Sequence, residues 1–189
     1  MTTYIAEKHF ANKNFQKNEA NLTEFEGCSF IDCNFSECLF VAVTFIDCRF
    51  ERCNFYGAQI AHTSFRTVHF HTCNLSEVNF AMADKFIFEV AFTNCLLDFS
   101  KFYGLNLGST AFTGCSIVAA DFMGTDLQKA MFYECDLYRC EFDKANATRS
   151  DFSTSTNFTI DPERTKIKSA LFNRENVRGL LAKHQLQII

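Results

Sequence analysis

A large apolar residue stands at every fifth position over most of this chain, and no ordinary secondary-structure element accepts that spacing. One run passes through Phe10 and Phe15, then, after Ala20, through Phe25 to Phe80 in steps of five, with Ile60 and Leu75 as its only non-aromatic members. A second run goes from Phe92 to Phe152, alternating Phe with Leu, Ile or Ala. Nineteen of the 24 Phe fall on these two series. An α-helix repeats every 3.6 residues, so centres five apart would scatter around its circumference. A long strand needs period two, and the polar runs between centres break that alternation. A chain that turns a corner once per repeat satisfies the pattern, because each side then sends one large and one small side chain inward.

The small side chain sits two residues before each centre. All ten cysteines occupy this slot: Cys28, Cys33, Cys38, Cys48, Cys53, Cys73, Cys95, Cys115, Cys135 and Cys140. Four sides close a square coil of about 20 residues, and stacked coils rise by about 4.8 Å each through parallel ladder hydrogen bonds. Phe25, Phe45 and Phe65 then lie one above another. The predicted fold is an all-β solenoid, a right-handed quadrilateral parallel β-helix of five-residue repeats over residues 1–172. The register slips once, between Phe80 and Phe92, which predicts a local bulge at 81–91 with Phe86 and Phe88 off the series.

Beyond the Asp161-Pro162 turn, Ile167 and Phe172 keep the second register. Asn173 is placed to cap a short α-helix from Arg174 to about His184, whose apolar face is Val177, Leu180 and Leu181. Leu186, Ile188 and Ile189 continue as an apolar tail. A helix of this length is marginal alone, and the open end of a solenoid needs a cover, so residues 173–189 are expected to cap the last coil or to pair with a second subunit.

The rest of the sequence narrows the function. Net charge is −4, divided between an acidic body and a tail, from Asp161 onward, in which Lys and Arg outnumber Asp and Glu. An acidic body argues against direct nucleic-acid binding, which draws its affinity from Lys and Arg on phosphates. The N-terminus lacks the basic and apolar regions of a secretory signal, and no apolar run reaches the length of a membrane helix, so a cytoplasmic location is expected. Cysteines spaced at the repeat period are not zinc knuckles and are expected to be buried, inert thiols. His69 and His71 flank an inward Phe70 and should both face solvent, away from Cys73. No metal site and no cofactor are expected. Motifs of nucleophilic, phosphate-binding or dinucleotide chemistry do not occur, and a filled rod offers no cleft for catalysis, so the chain is not expected to be an enzyme. What remains is the surface, where Asp121, Asp126, Asp136, Glu141 and Asp151 each precede a centre and are candidates for a partner-binding acidic face.

The segments CNFSE, CRFER, ADFMG, TDLQK, CDLYR and SDFST resemble the consensus of the pentapeptide-repeat proteins, over about four-fifths of the chain. The ending TNFTIDPERTKIKSALFNRENVRGLLAKHQLQII is similar to that of the Qnr-type quinolone-resistance and microcin-immunity group. That resemblance implies a homodimer through Phe172, Val177, Leu180, Leu181, Leu186 and Ile188. It also implies a type II DNA topoisomerase, gyrase or topoisomerase IV, as partner, bound by DNA mimicry and shielded from drugs or toxins or inhibited. The chain departs from many Qnr proteins in lacking a second long loop, because the run from Phe92 to Phe152 is unbroken. The alternative is a rigid scaffold for an unrelated protein.

Overall fold

The corner that closes each repeat is a residue in the left-handed region two places after the centre. Asp32, Arg52 and Thr72, with φ of 52°, 51° and 55°, form one column of such corners. A non-glycine residue there costs about 1–2 kcal/mol, which the ladder offsets. The corner amides of Asp32 and Arg52 each donate to a carbonyl of the next coil at 3.0 Å. Repeating this corner winds the chain, in a computed structural model that describes residues 2–187, into an all-parallel β-solenoid of about seven coils.

Four sides follow from the pairing register. Side 1 stacks Phe25, Phe45 and Phe65, and side 2 stacks Phe30, Phe50 and Phe70. Side 3 carries Phe35, Phe55 and Leu75, with Asn34, Asn54 and Asn74 bridged in line; side 4 carries Phe40, Ile60 and Phe80. The centres interlock as aromatic columns. On side 2 the rings of Phe10, Phe30, Phe50 and Phe70 stack at 4.9, 4.7 and 5.0 Å, and the column continues through Phe92 to Phe172. Offset stacking adds about 0.5–1.5 kcal/mol per pair to the burial of each ring.

The ten cysteines are buried and unpaired, as their slot predicts. Six of them, Cys33, Cys53, Cys73, Cys95, Cys115 and Cys135, stand in the slot column of side 3. The slot does more than limit volume. Cys53 Sγ donates to the Phe30 carbonyl and Cys135 Sγ to that of Phe112, in each case the centre of the preceding side one coil below. Thr125, Ser155 and Thr165 send their hydroxyls to the equivalent carbonyls of Phe102, Phe132 and Phe142.

The slip at 81–91 is a bulge, and it sharpens one expectation. Phe80–Met82 form a 3-10 turn, after which the Asp84 amide donates to Thr63 and the Asp84 carboxylate accepts from Ser64 and from the Phe86 amide. These bonds pin a short loop that leaves Phe86 98% exposed. Phe88 stands off the five-residue series, as expected, yet it is buried and paired with Phe65, 23 residues earlier; the offset falls to 22 at Val68 and Val90, so a one-residue irregularity follows before the regular register resumes.

The C-terminal segment corrects another. Asn173 does cap as expected, its side chain accepting from the amides of Glu175 and Asn176. No α-helix follows. Val177–Leu180 and Ala182–His184 are separate 3-10 turns. Gly179 explains the break: a Cβ there would lie 2.3 Å from the Phe158 carbonyl oxygen, and the Gly179 carbonyl accepts from the Ile160 amide. The backbone is pressed onto the last coil, and Asn176 reaches the carbonyls of Phe152 and Ser155, so the bonds of a helix are exchanged for bonds to the coil end. Phe172 and Leu180 pack on the core, while Val177, Leu181 and Leu186 stay 41%, 40% and 57% exposed. Ile188 and Ile189 lie outside the described residues.

Candidate interaction surface

Every repeat presents three outward positions: the residue before the centre and the two at the corner. The residue before the centre has a local task. Asp121, Asp126, Asp136 and Asp151 each accept, through Oδ1, the amide two residues on, at 2.8, 3.1, 3.0 and 2.8 Å. Asn34, Asn54, Asn74 and Asn146 make the same turn bond. This is the Asx turn that these side chains favour. The carboxylates are therefore held rigidly and half-buried, and in Asp126 the second oxygen is also engaged, by Gln128 Nε2 at 3.0 Å. Glu141, one carbon longer, makes no turn bond and is exposed.

The five predicted acids do not share one face. Asp121 and Glu141 are bridged in line on side 4, above Lys101. Asp126 lies on side 1 and takes a 3.4 Å bond from the Asn146 amide. Asp136 lies on side 3 beside Asn157, which donates to it at 2.9 Å. Asp151 lies on side 2 between Met131 and Leu171. The charge thus rings the rod. Reducing each residue number by the coil length would have shown this distribution from the sequence.

Other features of the surface are neutral. His69 and His71 are exposed and do not converge on the buried Cys73. Among the described residues no group of three His, Cys, Asp or Glu side chains could hold a metal ion, and no helix is long and apolar enough to cross a membrane. A hollow of about 760 Å³ lies between the last coil and the tail, and its charged lining consists of Glu175 and Arg178. Phe86, Met82, Tyr103 and Met123 are all exposed, and Lys85 Nζ lies over the Tyr103 ring at 5.9 Å. Sequence reasoning saw the slip in register but not that it projects an aromatic ring.

A coil built this way defines a class, the pentapeptide-repeat solenoid. The description "Pentapeptide repeats (9 copies)" matches residues 25–69, and "Pentapeptide repeats (8 copies)" matches 91–128 and 120–156. These spans cover more than half of the chain, which belongs to the pentapeptide-repeat family; the unmatched gap coincides with the bulge and its flanks. No curated protein matches the chain. Among solved structures, it is similar to a trypsin-treated form of QnrB1, described as a plasmid-mediated fluoroquinolone resistance protein. The TM-score there is 0.64 at 15% identity, over 98% of this chain and 100% of that one. It is also similar to HetL, a pentapeptide-repeat protein involved in heterocyst differentiation regulation in the cyanobacterium Nostoc sp. strain PCC 7120. That match has a TM-score of 0.46 at 10% identity, over 89% and 85% of the two chains. At these identities the likeness is one of fold.

Proposed function

We propose that this protein binds a type II DNA topoisomerase, gyrase or topoisomerase IV, as a DNA-like acidic rod, and modulates the enzyme without chemistry of its own. The observation that carries the reading is the ring of fixed carboxylates on a filled rod. A groove built to hold duplex DNA meets negative charge on several sides of a cylinder, and Asp121, Asp126, Asp136, Glu141 and Asp151 supply that on all four sides here. The match is one of charge and shape, since coils rise about 4.8 Å and phosphates follow at 3.4 Å per strand. The resemblance of the ending to the Qnr-type group supports that partner, and the fold shared with QnrB1, a fluoroquinolone resistance protein, accords with protection from a quinolone as the activity. The reading includes a homodimer through the C-terminal segment, where Val177, Leu181 and Leu186 remain uncovered.

Supercoiling by purified gyrase and topoisomerase IV, with and without a quinolone, tests the reading. The decisive variant carries Asp121→Asn, Asp126→Asn, Asp136→Asn and Asp151→Asn, which keeps the turn bonds and removes four charges. Loss of its effect on the enzyme with an unchanged melting temperature is the expected result. A second reading, a scaffold for an unrelated protein, is favoured by the exposed ring of Phe86. It gains if the wild type neither affects nor binds either enzyme at low salt.

A further inference from the structure

The outward charges of side 1 are sorted along the rod. Its first three levels, centred on Ile5, Phe25 and Phe45, present Glu7, Glu24, Glu26 and Asp47. Its last three, centred on Leu127, Ala147 and Ile167, present Lys129, Arg149, Lys166 and Lys168. Among the described residues none of these eight takes part in an ion pair. Small uncharged groups such as Asn106, Gly108 and Ser109 separate the two ends. The exceptions are Arg66 and Glu89 near the middle and Asp126, whose carboxylate is engaged by Gln128 and Asn146.

We propose that side 1 is a docking surface for a second copy of this chain, lying antiparallel across it. A two-fold axis in the plane of the face, at the level of Phe88, exchanges the acidic and basic ends. The level of Phe45 then lies over that of Leu127, which sets Asp47 opposite Lys129, both at the left-handed corner position. The level of Phe25 lies over that of Ala147, with Glu24 and Glu26 beside Arg149. At the ends, Glu7 meets Lys168. Each contact occurs twice, as an isologous interface requires. The spacing needs no adjustment, because both copies carry their charges on coils that rise by the same step of about 4.8 Å. A parallel arrangement would place acid on acid and is rejected by the same charges. A polyanion would meet the cations but be repelled by the acidic half of the face, so a second copy is the occupant that fits the charges of both ends, with Glu89 at the axis facing its own counterpart. This contact is separate from pairing through the C-terminal tail.

Two full-length variants test the pairing crosswise: one carries Glu7→Lys, Glu26→Lys and Asp47→Lys, the other Lys129→Glu, Arg149→Glu and Lys168→Glu. Mass is followed by sedimentation at about 20 mM and about 500 mM salt, conditions that leave and remove screening-sensitive contacts. For the wild type, the association constant is expected to fall at least tenfold between the two, whatever its baseline state. Each variant alone should show no salt-dependent gain in mass, and an equimolar mixture of the two should regain it, because reversed acids then face reversed bases. If a triple variant fails to fold, the single pair Asp47→Lys and Lys129→Glu makes the same crosswise comparison. A wild-type mass indifferent to salt, variants that associate as the wild type does, or a mixture that stays apart would each overturn the proposal. So would duplex DNA bound through the three cations by a wild type that does not self-associate.

Discussion

The two halves of the rod fill one coil with different interiors. Between Phe25 and Phe55 a ring stands at the centre of every side, whereas between Phe92 and Phe152 rings stand only on sides 2 and 4, and Leu, Ile or Ala fill sides 1 and 3. Ring geometry records the difference. Rings consecutive along the chain meet at angles from 43° to 81° in the first region, as in Phe35 with Phe40 and Phe45 with Phe50. In the second, Phe92 with Phe102 stands at 74° and the neighbours from Phe102 with Phe112 to Phe142 with Phe152 at 86° to 90°. Four rings per coil crowd and tilt; two per coil stand square. The slots differ as well: six of the ten cysteines precede Phe80, and Ser, Thr and Ala share the slot with Cys beyond it. The ladder tolerates both interiors because it fixes the perimeter and leaves the filling to packing.

Alkali should act strongly on both halves. Burial pushes the thiols of Cys48 and Cys140 up to about 12, so the folded state keeps protons that the unfolded chain releases. A group whose acid form is retained in the native state lowers stability as pH rises above the unfolded value. Between about pH 8.5 and 10.5 each such thiol removes ~2.7 kcal/mol, and stability is untouched below that window. Melting curves across pH 7 to 10.5 check the slope, and Cys48→Ala and Cys140→Ala, one in each half, should each flatten it by a similar amount. A slope unchanged by either variant would remove the thiols as the cause.

Truncating a ring comes next. Phe50 touches the rings of Phe30, Phe35, Phe45, Phe55 and Phe70, and Phe122 touches those of Phe102, Phe112, Phe132 and Phe142. Both Phe50→Ala and Phe122→Ala should cost about 3–5 kcal/mol in urea melts, with Phe50→Ala the larger because it removes one more ring contact. The reverse order would show that square packing, not the number of rings, sets the cost.

The fold was legible because one period states it many times: every Phe on the series predicts the same inward slot, and the structure fills it so. The tail was less legible. Asn173 and the spacing of Val177, Leu180 and Leu181 read as a helix, and only the closeness of Gly179 to Phe158 shows that the backbone is used by the coil end instead. Phe88 was only half legible for a similar reason: it stands off the five-residue count, as the sequence says, but its burial beside Phe65 depends on how many residues the loop absorbs. The acids were found one by one, but their distribution over four sides needs the coil number of each, and their turn bonds need the coordinates.

A smaller effect concerns the slot itself. Cys135 and Ser155 occupy the same column one coil apart and donate to the carbonyls of Phe112 and Phe132. Cys135→Ser should therefore cost no more than about 1 kcal/mol, because the hydroxyl finds a carbonyl already positioned for it. Cys53→Ser, whose acceptor is the Phe30 carbonyl among four rings per coil, is the matching change in the N-terminal half. A loss of more than about 3 kcal/mol at either site, the scale of a core cavity, would mean that the slot selects thiols for packing and not for their donor.

The smallest effect separates charge from turn. In the N-terminal half the position before the centre is held by Asn34, Asn54 and Asn74, and in the C-terminal half by Asp121, Asp126, Asp136 and Asp151, with the same bond to the amide two residues on. If that bond is what the position contributes to the fold, Asp121→Asn should stay within about 0.5 kcal/mol of the wild type, as should the reciprocal Asn54→Asp. Asp121→Ala, which leaves the Met123 amide without its acceptor, should cost about 0.5–1.5 kcal/mol. Denaturant melts of the three variants decide between the two roles. Equal losses for Asn and Ala at position 121 would mean that the charge itself stabilises the coil. A near-zero cost for Asn would show that folding is indifferent to the negative charge, and the use of Asp in place of Asn along the C-terminal coils would then have to come from what the surface binds.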